Sequence, residues 1–199
     1  DFYERVGNEC PFISRFFAKI QTKSQQSVIT EYIDGQTLYD FIMKNKNKLT
    51  FYDKIKMILE IMISIEYIHS KNIIIRDLKW DNIMINSKRR AVLIDFDRTK
   101  IIETNQQSLS DENITGDINS PYFQSPEQYS SNDYSFKSDI YSLGMIIQFI
   151  LSETRFNYDT FNLFKIMMKE EKNILDLDLE VIPTYDLEEE ALYDVFKEC

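Results

Sequence analysis

The stretch Ile73-Ile74-Ile75-Arg76-Asp77-Leu78-Lys79-Trp80-Asp81-Asn82-Ile83-Met84-Ile85, followed after a polar break by Ala91-Val92-Leu93-Ile94-Asp95-Phe96-Asp97, governs how the rest of the chain is read. Two short apolar runs, Ile83 to Ile85 and Ala91 to Ile94, flank Asn86-Ser87-Lys88-Arg89-Arg90, which is the pattern of a β-hairpin. An antiparallel pair sets the start of one strand beside the end of the other. Asn82 is thereby driven toward Asp95, with Asp77 and Lys79 a few residues away. Two carboxylates, an amide and an ammonium at one mouth suit a hard divalent cation and a phosphate, because magnesium takes oxygen ligands and phosphate takes cations.

Outward from that stretch, further motifs follow in order. Arg76-Asp77-Leu78-Lys79-Trp80-Asp81-Asn82 and Asp95-Phe96-Asp97 are succeeded by Ser125-Pro126-Glu127 and then Ser138-Asp139-Ile140-Tyr141-Ser142-Leu143-Gly144. Together they resemble the eukaryotic protein kinases, whose catalytic loop reads H-R-D-L-K-x-x-N and whose metal-binding loop reads D-F-G. The resemblance implies an α+β, protein-kinase-like fold, with a mostly helical large lobe and a partial small-lobe β-sheet. It divides the chain into the end of the small lobe and the hinge (1–33) and a large lobe, truncated at its C-terminal end (34–199).

The same resemblance assigns roles to residues. Asp77 accepts or orients the proton of the acceptor hydroxyl, and Lys79 neutralises the transferred phosphoryl group, as in the serine/threonine branch. Asn82 and Asp95 hold Mg2+ against the phosphates of ATP. Thr30 falls at the gatekeeper, Glu31 and Ile33 at the hinge that holds adenine, and Met84 on the floor beneath it. Arg76 secures the loop and contacts the activation segment, often through a phosphate, while Phe96 belongs to the metal loop. In the polar run Arg98 to Asn119, Thr115 is the best-placed phosphate acceptor, with Ser108 and Ser110 behind it. Ser120 helps shape the substrate groove, Glu127 awaits an arginine that this chain lacks, and Asp139 anchors the backbone of the catalytic loop. Trp80 and Asp81 occupy variable positions and are expected at the surface.

Two positions depart from the pattern. Ile75 stands where the family has histidine, keeping apolar packing and losing a hydrogen bond. Asp97 stands where it has glycine, whose absence restricts the backbone and adds a carboxylate beside the metal.

Composition sets outer limits. The 199 residues with 43% hydrophobic content can bury a core, as one domain or a large part of one. A formal charge of −10 argues against a nucleic-acid partner, which calls for a basic face. Cys10 and Cys199, near opposite ends, give neither a disulfide framework nor a metal spacing, so a reducing, cytoplasmic compartment is expected. No apolar run approaches the ~20 residues of a membrane helix.

Along the chain, Asp1 to Gly7 reads as a short helix. Phe12 to Ile20 and Ser27 to Thr30 read as a strand pair, and Asp34-Gly35 as a turn. Thr37 to Asn45 is a short helix. Thr50 to Ser70 is a longer one, opened by a Thr50/Asp53 capping box. Its apolar residues spread nearly around the axis, which is the pattern of a helix buried on most sides. His69 closes it in a structural role. Asp139 opens a helix running to about Leu151, where a carboxylate caps free N–H groups, with Ile140, Leu143, Ile146, Ile147 and Ile150 on its apolar face. Phe161 to Glu171 and Leu187 to Lys197 are further amphipathic helices beside an acidic run.

The chain has four glycines, no glycine-rich loop and no strand-borne V-A-I-K lysine. It is therefore expected to be a kinase fragment that is inactive alone, acting in its parent on serine or threonine of protein substrates with ATP and Mg2+. A pseudokinase scaffold is the alternative. A small-molecule kinase of the aminoglycoside type ranks below both, because that type lacks a Ser-Pro-Glu segment.

Overall fold

The computed structural model describes residues 2–22, 26–102, 109–110, 121–131 and 133–154. The chain divides into two compact units, Asp1–Arg155 and Phe156–Cys199, and every described residue belongs to the first. The helices expected at Phe161 to Glu171 and Leu187 to Lys197 lie outside the described residues, as do Ser108, Thr115 and Ser120.

A short helix α1 (Phe2–Val6) ends at Gly7, whose φ of +64° is the left-handed stop that glycine adopts freely. The expected Phe12-to-Ile20 strand is divided between two partners. Phe12 to Ser14 joins the edge of β6 (Ala91–Leu93), with Leu93 N–H donating to Phe12 O (2.8 Å) and Ser14 N–H to Leu93 O (2.9 Å). Only β1 (Phe16–Gln21) pairs antiparallel with β2 (Gln26–Thr30). A continuous apolar run fixes extended backbone but not which sheet it joins, so this division carried no sequence signal.

Gly35 of the expected Asp34-Gly35 turn in fact opens a strand. β3 (Gly35–Thr37) pairs antiparallel with β5 (Ile83–Asn86), and β5 pairs with β6, giving the sheet order β3-β5-β6. A Cβ on Gly35 would lie 2.2 Å from the Ile85 carbonyl oxygen, so only glycine permits that approach.

Helix α2 (Leu38–Lys44) starts at Thr37, whose side chain accepts from Asp40 N–H (3.1 Å). Helix α3 (Phe51–Ser70) opens with the expected capping box. Thr50 Oγ1 accepts from Asp53 N–H (3.1 Å), and Asp53 Oδ2 accepts from Thr50 N–H (3.1 Å). Ile61, Ile65 and Ile68 of α3 are almost fully buried. At about 25 cal/mol per Å2, each such side chain contributes on the order of 2 kcal/mol. The opposite face corrects the expectation of burial all round: Leu59, Met62 and Ile63 are 52%, 43% and 48% exposed.

Glu60, amid these isoleucines, is buried because it has work for its charge. It accepts from Ala91 N–H (2.8 Å), and Lys56 Nζ lies 3.5 Å from it while donating to Arg89 O (2.9 Å). The hairpin β5–β6 is thus fastened to α3.

β4 (Ile73–Ile74) pairs with β7 (Lys100–Ile101), returning the chain beside the start of the Ile73–Ile85 stretch. β8 (Leu109–Ser110) pairs with β9 (Asp133–Tyr134), and α4 spans Pro126–Ser131. Helix α5 (Phe136–Ser152) begins three residues before Asp139, so Asp139 does not open it. Of its expected apolar face, Leu143, Ile146, Ile147 and Ile150 are buried, but Ile140 is 46% exposed. α3 and α5 pack into one hydrophobic core with α1, α2 and the β5–β6 hairpin. The mixed helical and antiparallel architecture is the expected α+β class.

Candidate functional site

The site grows from the open end of the β5–β6 hairpin. The register Ile83↔Leu93, Met84↔Val92 and Ile85↔Ala91 continues one step further, where Ile94 N–H donates to Asn82 O (2.9 Å). Asn82 closes the 3-10 turn Trp80–Asn82, and this extra ladder bond sets it beside Ile94 and Asp95.

Three polar side chains converge there. Lys79 Nζ donates to Asp77 Oδ2 (2.8 Å), and Asn82 Nδ2 donates to the same oxygen (3.2 Å) and to Asp77 O (2.9 Å). Lys79 and Asp77 keep 17% and 20% of their side-chain surface open, enough for a ligand to reach them. Asp95 is placed at the same mouth by the backbone. It is exposed, and no hydrogen bond joins its carboxylate to the other three among the described residues.

Asp95 has a φ of +60°, in the left-handed region that Asp tolerates better than most residues. Asp97, where the family has glycine, is not among the positive-φ residues. The backbone demand in this turn falls on the first Asp, not the last, so Asp97 replaces glycine without strain. Between them, Phe96 is buried and stacked on Phe2 (centroids 4.2 Å, 15°), with Tyr3 edge-on at 6.2 Å. Burial first, then the Asp97 and Asp95 carboxylates, push the Tyr3 phenol up to about 12, so it faces the turn as a neutral group at any physiological pH.

Beneath the loop, Asp139 is 1% exposed and accepts from Ile75 N–H (2.8 Å), Arg76 N–H (2.9 Å) and His69 Nε2 (2.8 Å). Its oxygens hold the loop backbone, not the free N–H groups of its own helix as a cap would. His69, tilted against Phe136 at 4.8 Å, serves this anchor. Ile75 is buried, and its backbone N–H holds the loop to Asp139.

The other site candidates are dispersed. Glu31 N–H donates to Arg15 O (2.7 Å), and its side chain lies 3.4 Å from Arg15 Nε. Ile33 follows in the unpaired segment before β3, and half-buried Met84 pairs with Val92 and Thr37 across the sheet. Glu127 accepts from Ser138 Oγ (3.1 Å). Trp80 corrects its surface assignment: it is 8% exposed and packs on Phe123 (4.6 Å), Phe149 (4.7 Å) and Tyr39 (5.5 Å). Its partners come from α2, the 3-10 turn Pro121–Phe123 and α5, and no local pattern in the sequence announces such long-range packing. His69 likewise had a signal only for a helix end, not for its contact with Asp139.

The donor set fits a magnesium ion. Asn82 turns its amide nitrogen to Asp77 and leaves its Oδ1, a hard oxygen, uncommitted to that residue; the exposed Asp95 carboxylate would be the second donor. Among the described residues no group of three or more His, Cys, Asp or Glu is placed to hold a metal. Magnesium keeps several waters and takes one or two protein oxygens beside substrate phosphates, whereas a structural zinc takes four protein ligands, chiefly Cys and His.

The model of the protein kinase domain family matches residues 3–199. The probable serine/threonine-protein kinase mkcE of Dictyostelium discoideum is 39% identical over 122 residues, covering 60% of this chain and 16% of that protein. The probable serine/threonine-protein kinase PknB of Lactococcus lactis is 34% identical over 125 residues, 63% of this chain and 19% of that one. The cGMP-dependent protein kinase of Toxoplasma gondii is 28% identical over 190 residues, 93% of this chain and 17% of that one. The chain thus spans less than a fifth of the length of these curated relatives. With the family model covering nearly its whole length, the chain belongs to the protein kinase domain family.

Proposed function

We propose that the protein carrying this chain transfers the γ-phosphate of ATP to serine or threonine hydroxyls of protein substrates. The observation that carries the reading is the convergence of Lys79 Nζ and Asn82 Nδ2 on the single oxygen Asp77 Oδ2. A carboxylate so held keeps one oxygen committed and offers the other to the proton of an incoming hydroxyl. Lys79, in direct contact with Asp77, is assigned to the negative charge that builds on the phosphoryl group in flight. Asn82 and Asp95 are the residues that would hold Mg2+, which supplies charge neutralisation along the phosphates. Glu31 and Ile33 at the hinge and Met84 on β5 are assigned to adenine, and the lobe boundary is assigned to residue 33.

Arg76, Phe96 and Asp139 are positioning residues of this site. Thr115, Ser120 and Glu127 are assigned to the activation segment and substrate groove. The names of the relatives, all serine/threonine or cGMP-dependent kinases, favour catalysis over a scaffold role. A cytoplasmic setting agrees with the free, buried Cys10 thiol. No helix of the described residues is long and apolar enough to cross a membrane.

The test is label transfer from γ-labelled ATP by the full-length protein to a mixed serine/threonine peptide library. Asp77→Asn, which keeps the shape and removes the base, is expected to lower the rate about 10³-fold. Equal incorporation by the two proteins rejects the assignment.

A further inference from the structure

Arg76 is held through both its backbone and its side chain. Its φ of +70° lies in the left-handed region, which a non-glycine residue enters only when its surroundings compel it. Asp139 supplies part of the compulsion by binding the Ile75 and Arg76 amides. That fixes the backbone but leaves a long side chain whose rotamer entropy must still be overcome if the guanidinium is to be ordered.

The second hold is aromatic. The Arg76 guanidinium carbon lies 4.6 Å from the centroid of the Tyr134 ring. Tyr134 is 6% exposed, so the ring face is largely shielded from water, the condition under which a cation–π contact strengthens. Tyr134 lies on β9, which pairs with β8 through Leu109↔Tyr134 and Ser110↔Asp133. β8 belongs to the polar run Arg98 to Asn119. One ring therefore joins the Arg76 loop to the strand that pairs with that segment.

We propose that Tyr134 is a positioning residue whose ring holds the Arg76 guanidinium, and with it the loop from Ile75 to Asn82, whether or not the 98–119 segment is phosphorylated. A ring engages the flat face of a guanidinium, whereas a phosphate engages its N–H edge, so the aromatic hold neither competes with a phosphate nor depends on one. The proposal rests on the phosphotransfer reading only for its effect on rate; the order of the loop is measurable by itself.

The experiment is amide hydrogen exchange over residues 75–82 in the full-length protein, beside kcat and the KM for ATP. Tyr134→Leu, which removes the ring, is expected to raise exchange about tenfold and to lower kcat with KM for ATP unchanged. Tyr134→Phe, which keeps the ring, is expected to stay within about twofold of the parent. Phosphatase treatment of the parent is expected to leave the exchange as it was. Should Tyr134→Leu melt far below the parent, Arg76→Gln takes its place and is expected to give the same rise. Parent-like exchange in the ring-less variant, equal loosening by Phe and Leu, or loosening by phosphatase alone overturns the proposal. A loosened loop in a protein that transfers no label upholds the aromatic hold and rejects the phosphotransfer reading instead.

Discussion

Helix α5 carries a buried carboxylate near each end, and the two are balanced by different means. Asp139, in the first turn, is met by two backbone amides and the His69 ring, with no lysine or arginine paired to it among the described residues. Glu153, the residue just past the last turn, is met by the Lys54 ammonium at 3.2 Å and by Asn47 N–H. The helix itself accounts for the contrast. Its N-terminus carries partial positive charge that favours an anion, so hydrogen bonds suffice for Asp139; its C-terminus carries partial negative charge, so Glu153 needs a full cation. Lys54 Nζ also donates to Leu151 O (2.8 Å), one of the carbonyls that the helix end leaves open. One end of the helix holds the Ile75–Arg76 backbone and the other holds the base of α3.

The comparison breaks most visibly at the first end. Asp139→Ala leaves the Ile75 and Arg76 amides buried without an acceptor and is expected to cost about 3–4 kcal/mol in denaturant unfolding. It is also expected to abolish activity in the fraction that stays folded. Retention of parent kcat would mean that the loop holds its own shape. At the other end, Glu153→Gln leaves the Lys54 ammonium facing a neutral amide and a helix C-terminus. A loss of about 2–3 kcal/mol is expected, with kcat per folded molecule unchanged. A larger effect on kcat than on stability would erase the distinction between the ends.

Gly35→Ala sharpens the picture at a site tied to neither end. The added methyl cannot coexist with the Ile85 carbonyl, so β3 must leave β5, at about 2 kcal/mol. Exchange of the Gln36 and Ile85 amides, which face each other across β3 and β5, reads that separation directly.

The smallest effect belongs to Thr50→Ala, which uncaps α3 one turn before Lys54 and is expected to cost about 1 kcal/mol. It has a pH signature. The side-chain and backbone hydrogen bonds of Thr50 hold the Asp53 carboxyl below its ordinary value. A depressed carboxylate contributes stability above its unfolded pKa, about 4, and loses it as pH falls through the lowered folded value. Parent and variant melts are therefore expected to differ at pH 6 and to converge toward pH 2–3; a constant gap would rule out the Asp53 share of the cap.

What the sequence disclosed and what it withheld divide along one physical line. Capping of α3 by Thr50 and Asp53 was readable because both partners lie within four residues. The meeting of Asp77, Lys79 and Asn82 was readable because one loop and one hairpin carry them all. Asp95 reached the mouth as its register required, but its side-chain direction, and the positive φ that falls on it and not on Asp97, depend on Phe96 stacking against a helix more than ninety residues earlier. Trp80 turned inward for the same kind of reason, since its three aromatic neighbours lie far off along the chain. On α3 the apolar residues outnumbered the neighbours available, and Leu59, Met62 and Ile63 were left outside. Periodicity counts candidates for burial and says nothing about how many will find cover.

Asn8 deserves a mechanical reading. Its amide donates to Phe16 O (3.0 Å) and accepts from Phe16 N–H (2.9 Å), imitating a strand neighbour at the head of β1. Tyr3 stacks on that same Phe16 (4.9 Å), while Phe2 lies flat on Phe96. The short N-terminal helix is thereby bolted to the hairpin at one side and leans on the metal loop at the other. Any tilt of the β1–β2 hairpin is a lever arm, and Phe96 is where the lever delivers its push.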